Sequence, residues 1–264
     1  MTIPETGYPL AAAVSPRVQV VDTTDSTNAD VVAAVTAAPA EWPHLSLLVT
    51  TDQRHGRGRL DRTWVAPAGT ALAVSVVVHV GALPVAARGW IPLVAGLAMA
   101  RAVEAQLQGT GHQVAVKWPN DVLADAGKIS GILAEAVPGQ PDAVVIGAGV
   151  NTRMRSVDLP VATATSFAAM GREVDDDQLL ADYVASLDEL LGALAAASGD
   201  ADASGVRAAV SERCATVGSA VRVSMPDGAV LEGTVDEIDP TGRLVVVAAG
   251  VRTPVAAGDV THVR

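Results

Sequence analysis

The chain has 264 residues, 50% of them apolar, and carries 18 Lys and Arg against 29 Asp and Glu, a formal charge of −11. That apolar content supports a sizeable packed core and excludes disorder throughout, while the acidic excess argues against a broad nucleic-acid or anionic-membrane surface. Any positive site must therefore be local.

The single cysteine, Cys214, can form neither an internal disulfide nor a cysteine-based zinc cage. Met1–Pro16 lacks a charged n-region and a sustained apolar run, and nowhere do about 18 apolar residues follow one another as a membrane span requires. A cytoplasmic protein is expected. Residues 1–17, with Pro4, Gly7, Pro9 and Pro16, read as a flexible arm. Val18–Val21 reads as a strand, and Asp25-Ser26-Thr27 supplies cap chemistry for a helix that runs to about Ala37 and stops at Pro39. Leu45–Thr51 and Ala71–Val78 are β-branched runs flanking a Gly/Arg-rich loop, Gln53–Arg62. Leu93, Leu97, Ala100, Val103 and Leu107 recur at helical spacing, with Pro92 tolerated in the first turn. Val114–Trp118, Lys128–Val137 and Ala143–Val150 read as further strands. A long helix through Leu180, Leu187 and Leu194 follows the acidic cluster Asp175–Asp177, and a shorter one covers about 204–214. Beyond Cys214, four short strands split by Pro226-Asp227-Gly228, Pro240-Thr241-Gly242 and Gly250 predict a small β-barrel. The class is thus α/β, with residues 18–216 as one large unit and 217–264 as a second.

Four segments carry chemistry. Gln53-Arg54-His55-Gly56-Arg57-Gly58-Arg59-Leu60-Asp61-Arg62 concentrates four arginines in an acidic protein. Its glycines permit close backbone approach or positive φ, and its guanidiniums can grip carboxylate or phosphate oxygens; a solvated basic loop or an RNA-binding tract would look alike. Lys117-Trp118-Pro119-Asn120-Asp121 contains common turn chemistry, yet a lysine on the apolar strand Val114–Trp118 is costly to bury unless it meets an anion. Asp25-Ser26-Thr27-Asn28 is by itself a helix cap. Gly147-Ala148-Gly149-Val150-Asn151 is a glycine-rich strand end that reads equally as a bulge.

Taken in order, Ser-Thr-Asn, Gln with Gly-Arg-Gly-Arg and a following Trp, Lys-Trp-Pro-Asn-Asp, Gly-Lys-Ile-Ser-Gly-Ile-Leu and Gly-x-Gly-Val-Asn resemble the biotin protein ligases. The resemblance covers about residues 18–264 and extends to Gly258-Asp259-Val260 and the closing Arg264 of an SH3-like C-terminal domain. It implies a mixed central sheet with packed helices, the class II synthetase-like biotin/lipoate ligase fold. The implied activity is the formation of biotinyl-5′-AMP from biotin and ATP, with Mg²⁺ accompanying the phosphates. Biotin would then pass to a lysine of the biotin carboxyl carrier domains of acyl-CoA or pyruvate carboxylases. By the same resemblance Ser26, Thr27, Asn28 and Gln53 bind the ureido ring, Arg57, Gly58 and Arg59 close over biotin and the adenylate, and Lys117 bridges the biotin carboxylate and α-phosphate. Arg62, Trp64 and Asn151 fall on the nucleotide side, and Gly131 lets backbone approach the ring system. Lys117 and Arg59 are the expected catalytic pair.

Two loop residues depart from the pattern, His55 in place of a small residue and Asp61 in place of a third glycine. Asp121 is open to a turn role or to orienting Lys117 or Asn120. Lipoate and octanoate ligases share the fold, but their Arg-Arg-x-Ser-Gly-Gly-type segment is not found. About 17 residues precede the first strand, too few for the helix-turn-helix that makes some relatives repressors, so no specific nucleic-acid partner, and no membrane partner, is expected. A non-catalytic biotin-binding module is disfavoured because Lys117 and Arg59 are both present. A monomer or weak homodimer fits these observations.

Overall fold

A computed structural model describes residues 7–59, 62–225 and 227–263. Its larger sheet has seven strands in the order β1 (Val18–Val20), β2 (Leu47–Thr50), β5 (Ala71–His79), β9 (Gln140–Asn151), β8 (Gly127–Val137), β7 (Asp121–Ala124) and β6 (Val114–Lys117). The pair β1–β2 is parallel and the other neighbours are antiparallel, so the sheet is mixed as expected. A short ribbon pairs β3 (Gly56–Arg57), in the arginine-rich loop, with β4 (Thr63–Trp64), just after it.

Helices cover both faces of the sheet, which is why β5 is apolar almost throughout and buried along its first eight residues. Leu72, Val74 and Val76 enter the main core with α3 (Ile91–Gln106) and α4 (Asp176–Ala196). On the opposite face Val77 and Leu48 pack against Val31 and Val35 of α2 (Thr27–Ala37). Further along that face Ser75 lies under the first turn of α2, and at the small Ala73 the helix no longer fills the space. This is where the cleft opens.

The C-terminal unit is an antiparallel sheet in the order β13 (Val251–Val255), β12 (Leu244–Ala248), β11 (Val230–Ile238), β10 (Ala220–Ser224) and β14 (Asp259–His262). Trp90 and Trp118 donate their indole N–H groups to the carbonyls of Pro240 (3.0 Å) and Gly242 (3.1 Å), which ties one barrel turn to the larger sheet. Arg207, on α5 (Val206–Arg213), donates to Ile238 O at 2.7 Å. No helix among the described residues is long and apolar enough to cross a membrane.

One expectation is corrected. The N-terminal arm is, from Pro9 to Val14, a helix (α1) whose Ala11 is buried together with Tyr8 just before it. Asp177 accepts from the backbone N–H groups of Leu10 and Ala11, each at 2.9 Å, so a first-turn carboxylate of α4 caps α1. Proline-rich local sequence conceals this because the partner lies 166 residues away. Asp177→Ala should lower stability by roughly 1 kcal/mol, read as a shifted urea midpoint at unchanged m-value, with faster hydrogen exchange confined to residues 8–14.

Candidate active site

The sheet itself lays out the site. One cross-strand row runs Thr50, Ala73, Gly149, Gly131, Asp121, Lys117, one residue from each of six strands. The next row toward α2 contains Ser75, Gly147 and Leu133. Residues two apart on a strand share a face about 7 Å apart, so both rows point away from α3 and α4. All of them except the buried Thr50 and Ser75 floor a cleft of about 180 Å³, roofed by the first turn of α2 and the loop that follows Gln53.

Small residues make this floor possible. A Cβ on Gly147 would lie 2.3 Å from Asn28 Oδ1, and one on Gly149 would lie 2.7 Å from the Trp64 ring. The regular pairing of both glycines within β9 excludes the bulge that the sequence allowed. Positive φ, also open from sequence, occurs at neither Gly56 nor Gly58. Gly56 is instead a close-approach position, because a Cβ there would lie 2.6 Å from the Trp64 carbonyl oxygen.

At one end the cleft is neutral and densely hydrogen-bonded. Ser26 caps α2 by accepting from Ala29 N at 3.4 Å, so the cap and cleft readings of this segment both hold. Gln53 Oε1 accepts from Thr27 N at 2.8 Å and lies 3.1 Å from Thr27 Oγ1. Asn28 Nδ2 donates to Glu135 Oε2 at 2.7 Å and to Leu133 O at 3.1 Å, and Ser75 Oγ stands 2.6 Å from Asn28 Oδ1.

The other end is cationic. Lys117 closes β6 with its side chain on the cleft face, where no carboxylate among the described residues pairs with it. His262 of the barrel lies beside it, and burial with the charge of Lys117 pushes the imidazole below its ordinary pKa. Lys128 joins Lys117 from β8 and pairs with Asp121 at 2.6 Å. Arg57 pairs with Glu135 at 3.2 Å and Arg62 with Asp259 of the barrel. Arg59 has no such pair among the described residues; it donates to Asn120 Oδ1 at 3.1 Å and Gly258 O at 3.5 Å, and burial lowers its guanidinium pKa. Loop, turn and barrel therefore meet at Arg59.

Ser26, Thr27, Asn28, Gln53, Arg57, Gly58, Arg59, Arg62, Trp64, Lys117 and Gly131 all line this one cleft. Asn151 does not. Its amide donates to Thr165 O at 2.9 Å and lies 3.5 Å from Lys128 O, so it braces the segment beside Lys128 from a buried position. Gly131 makes room for a lysine: a Cβ would stand 3.1 Å from Lys128 Nζ. His55 points elsewhere, pairing with Asp25 at 2.8 Å, and Asp61 and Arg264 lie outside the described residues.

Sequence reasoning passed over Lys128, Glu135, Ser75 and Asp259. The signal that singled out Lys117, a charge on an apolar strand, was present for Lys128 and Glu135 within Lys128–Val137. Asp259 stood in the motif Gly258-Asp259-Val260 without a role, and for Ser75 only the tertiary structure supplies a signal.

Residues 20–151 match the Biotin/lipoate A/B protein ligase family, and residues 216–263 match the Biotin protein ligase C terminal domain. The biotin–[acetyl-CoA-carboxylase] ligase of Mycobacterium tuberculosis is 36% identical over 253 residues, covering 94% of this chain and 90% of that protein. The chain belongs to the biotin protein ligase family. The ligase is also 40% identical over 108 residues to the bifunctional ligase/repressor BirA of Escherichia coli, a match covering 40% of this chain and 32% of that one. A biotin protein ligase from Aquifex aeolicus, solved in complex with biotin and ATP, shares the fold with a TM-score of 0.75 at 22% identity, over 94% of this chain and 99% of that chain.

Proposed function

We propose that this ligase joins biotin to ATP as biotinyl-5′-AMP and then transfers biotin to a lysine of a biotin carboxyl carrier domain, of the kind found in acyl-CoA or pyruvate carboxylases. Residues 18–216 would hold both substrates and residues 217–264 would close the cleft over them. The observation that carries this reading is the polarity of the cleft floor. A neutral array able to bond a cyclic urea stands one row from a cationic array able to hold a carboxylate and phosphates. The name of the Mycobacterium tuberculosis relative supports the carrier assignment.

In the first step a carboxylate oxygen of biotin attacks the α-phosphorus, and the bond to the pyrophosphate leaving group breaks. Two anions approach while charge accumulates on phosphorus, so fixed cations lower the barrier most. Lys117, Lys128 and Arg59 supply them from strand and loop, and Trp64 lies over Gly149 between the polar and charged ends. In the second step a carrier lysine amine attacks the anhydride carbonyl and AMP departs. Asp121 is already bonded to Lys128, so Mg²⁺ would enter with the phosphates and keep most of its waters.

Incubation with biotin, ATP, Mg²⁺ and a carrier domain should add one biotinyl group to the carrier, seen by intact mass. Uptake of octanoyl or lipoyl groups in its place would sink the proposal. Gly147→Ala tests the polar end, because the new methyl lies too close to Asn28 Oδ1 for the short side chain to yield. Calorimetry should show biotin affinity reduced by about tenfold or more, the equivalent of roughly 1.4 kcal/mol.

A further inference from the structure

Glu135 meets the cationic side only through Arg57, and nothing in the two-step chemistry calls for a carboxylate at the neutral end. Its surroundings nevertheless determine which way several hydrogen bonds point. Asn28 has two acceptor-only neighbours on one side, the Glu135 carboxylate at 2.7 Å and the Leu133 carbonyl at 3.1 Å. Only the amide nitrogen can face them, which turns Asn28 Oδ1 toward Ser75. The Ser75 hydroxyl, 2.6 Å from that oxygen and 2.8 Å from Thr27 Oγ1, has one proton, and Asn28 Oδ1 can only accept. Ser75 therefore donates to Asn28 and offers a lone pair to Thr27.

The consequence reaches the ligand. Thr27 Oγ1 now has two protein neighbours that can only accept from it, Ser75 Oγ and Gln53 Oε1, the latter fixed by accepting Thr27 N–H at 2.8 Å. Its proton is committed to the protein, which leaves an acceptor lone pair for a ligand in the cleft that Thr27 lines. We infer that Glu135 is a positioning residue that sets the direction of the chain Thr27–Ser75–Asn28–Glu135, so that the ureido site presents an acceptor to a ligand N–H. Arg57, paired with the same carboxylate at 3.2 Å, links this chain to the loop. Without Glu135 the Asn28 amide keeps only its longer bond to the Leu133 carbonyl, so its orientation, and with it the acceptor at Thr27, is held less firmly.

This inference rests on the biotin reading above. Its test compares the affinities for biotin and for the two carbamate analogues in which one or the other ureido N–H is replaced by oxygen. The wild type should bind the poorer analogue at least about 100-fold more weakly than biotin, since a buried acceptor is left unpaired. In Glu135→Leu that ratio should fall below about tenfold, mainly through weaker biotin binding, while pyrophosphate release at saturating biotin stays within about threefold. Glu135→Gln should keep the ratio, because its amide oxygen still accepts from Asn28. Ser75→Ala, which removes the middle link, should compress the ratio as Glu135→Leu does, and decides the matter if the leucine variant does not fold. A wild-type ratio in either Glu135→Leu or Ser75→Ala, or an equal loss in Glu135→Gln and Glu135→Leu, would overturn the inference. If the wild type binds no biotin at millimolar concentration, the biotin reading fails and this inference with it. If it binds biotin and the variants keep the ratio, only the direction of the chain is wrong.

Discussion

Lys128→Ala should slow pyrophosphate release by about 10³-fold, the upper range for one lost transition-state charge contact, and Lys117→Ala by about 10²-fold. Both lysines reach the cleft face, Lys117 from β6 and Lys128 from β8 with β7 between them, but they are placed differently. Lys128 Nζ lies over Gly131 in the middle of the floor, held by its bond to Asp121, where the carboxylate and α-phosphate would meet on the proposed reading. Lys117 stands at the end of the row, beside the barrel. Removing Lys128 also leaves Asp121 as an uncompensated negative charge under two anionic reactants, which deepens the loss. The double variant should be slower than either single one by less than the product of the two effects, because both cations act on the same developing charge. Rapid-quench measurement of pyrophosphate at saturating biotin and ATP checks this. A Lys128→Ala enzyme faster than Lys117→Ala would show that Lys117 alone bridges the reacting groups.

Arg59→Ala should have a different signature. Adenylate formation should survive better than in either lysine variant, while biotinyl-AMP dissociates at least about tenfold faster, the kinetic equivalent of roughly 1.4 kcal/mol. Arg59 joins three parts of the chain, with its own place on the loop and hydrogen bonds to the turn at Asn120 and to Gly258 of the barrel. On the proposed reading it would hold the loop over an anhydride that water or a stray amine can attack. Arg62, tied to Asp259 on the same barrel edge, is expected to contribute less, since its ion pair is largely exposed. Stopped-flow release of the adenylate, paired with labelling of bystander lysines, makes the comparison. An Arg59→Ala enzyme that retains its adenylate like wild type and is slower than Lys117→Ala in step one would reverse this division.

Much of this protein was readable from the chain alone, because the informative patterns are short in range. Periodicity defined most strands and helices to within a few residues, though not α1, β7 or β14, and a lysine on an apolar strand, a capped helix start and a loop of four arginines identified three segments of the cleft. Other features depended on partners distant in sequence. The helix at Pro9–Val14 forms against a carboxylate on α4, although the local prolines suggest a loose arm. Asn151, at the end of a glycine-rich strand, lies close enough to the motif to look like a nucleotide contact, yet its amide is spent on two backbone carbonyls. Lys128, Asp121, Gly131 and Gly149 become one site only through cross-strand register. Register follows from which face each strand buries, so residue type indicated that an anion site exists, and the packing of the two sheet faces decided which charges compose it.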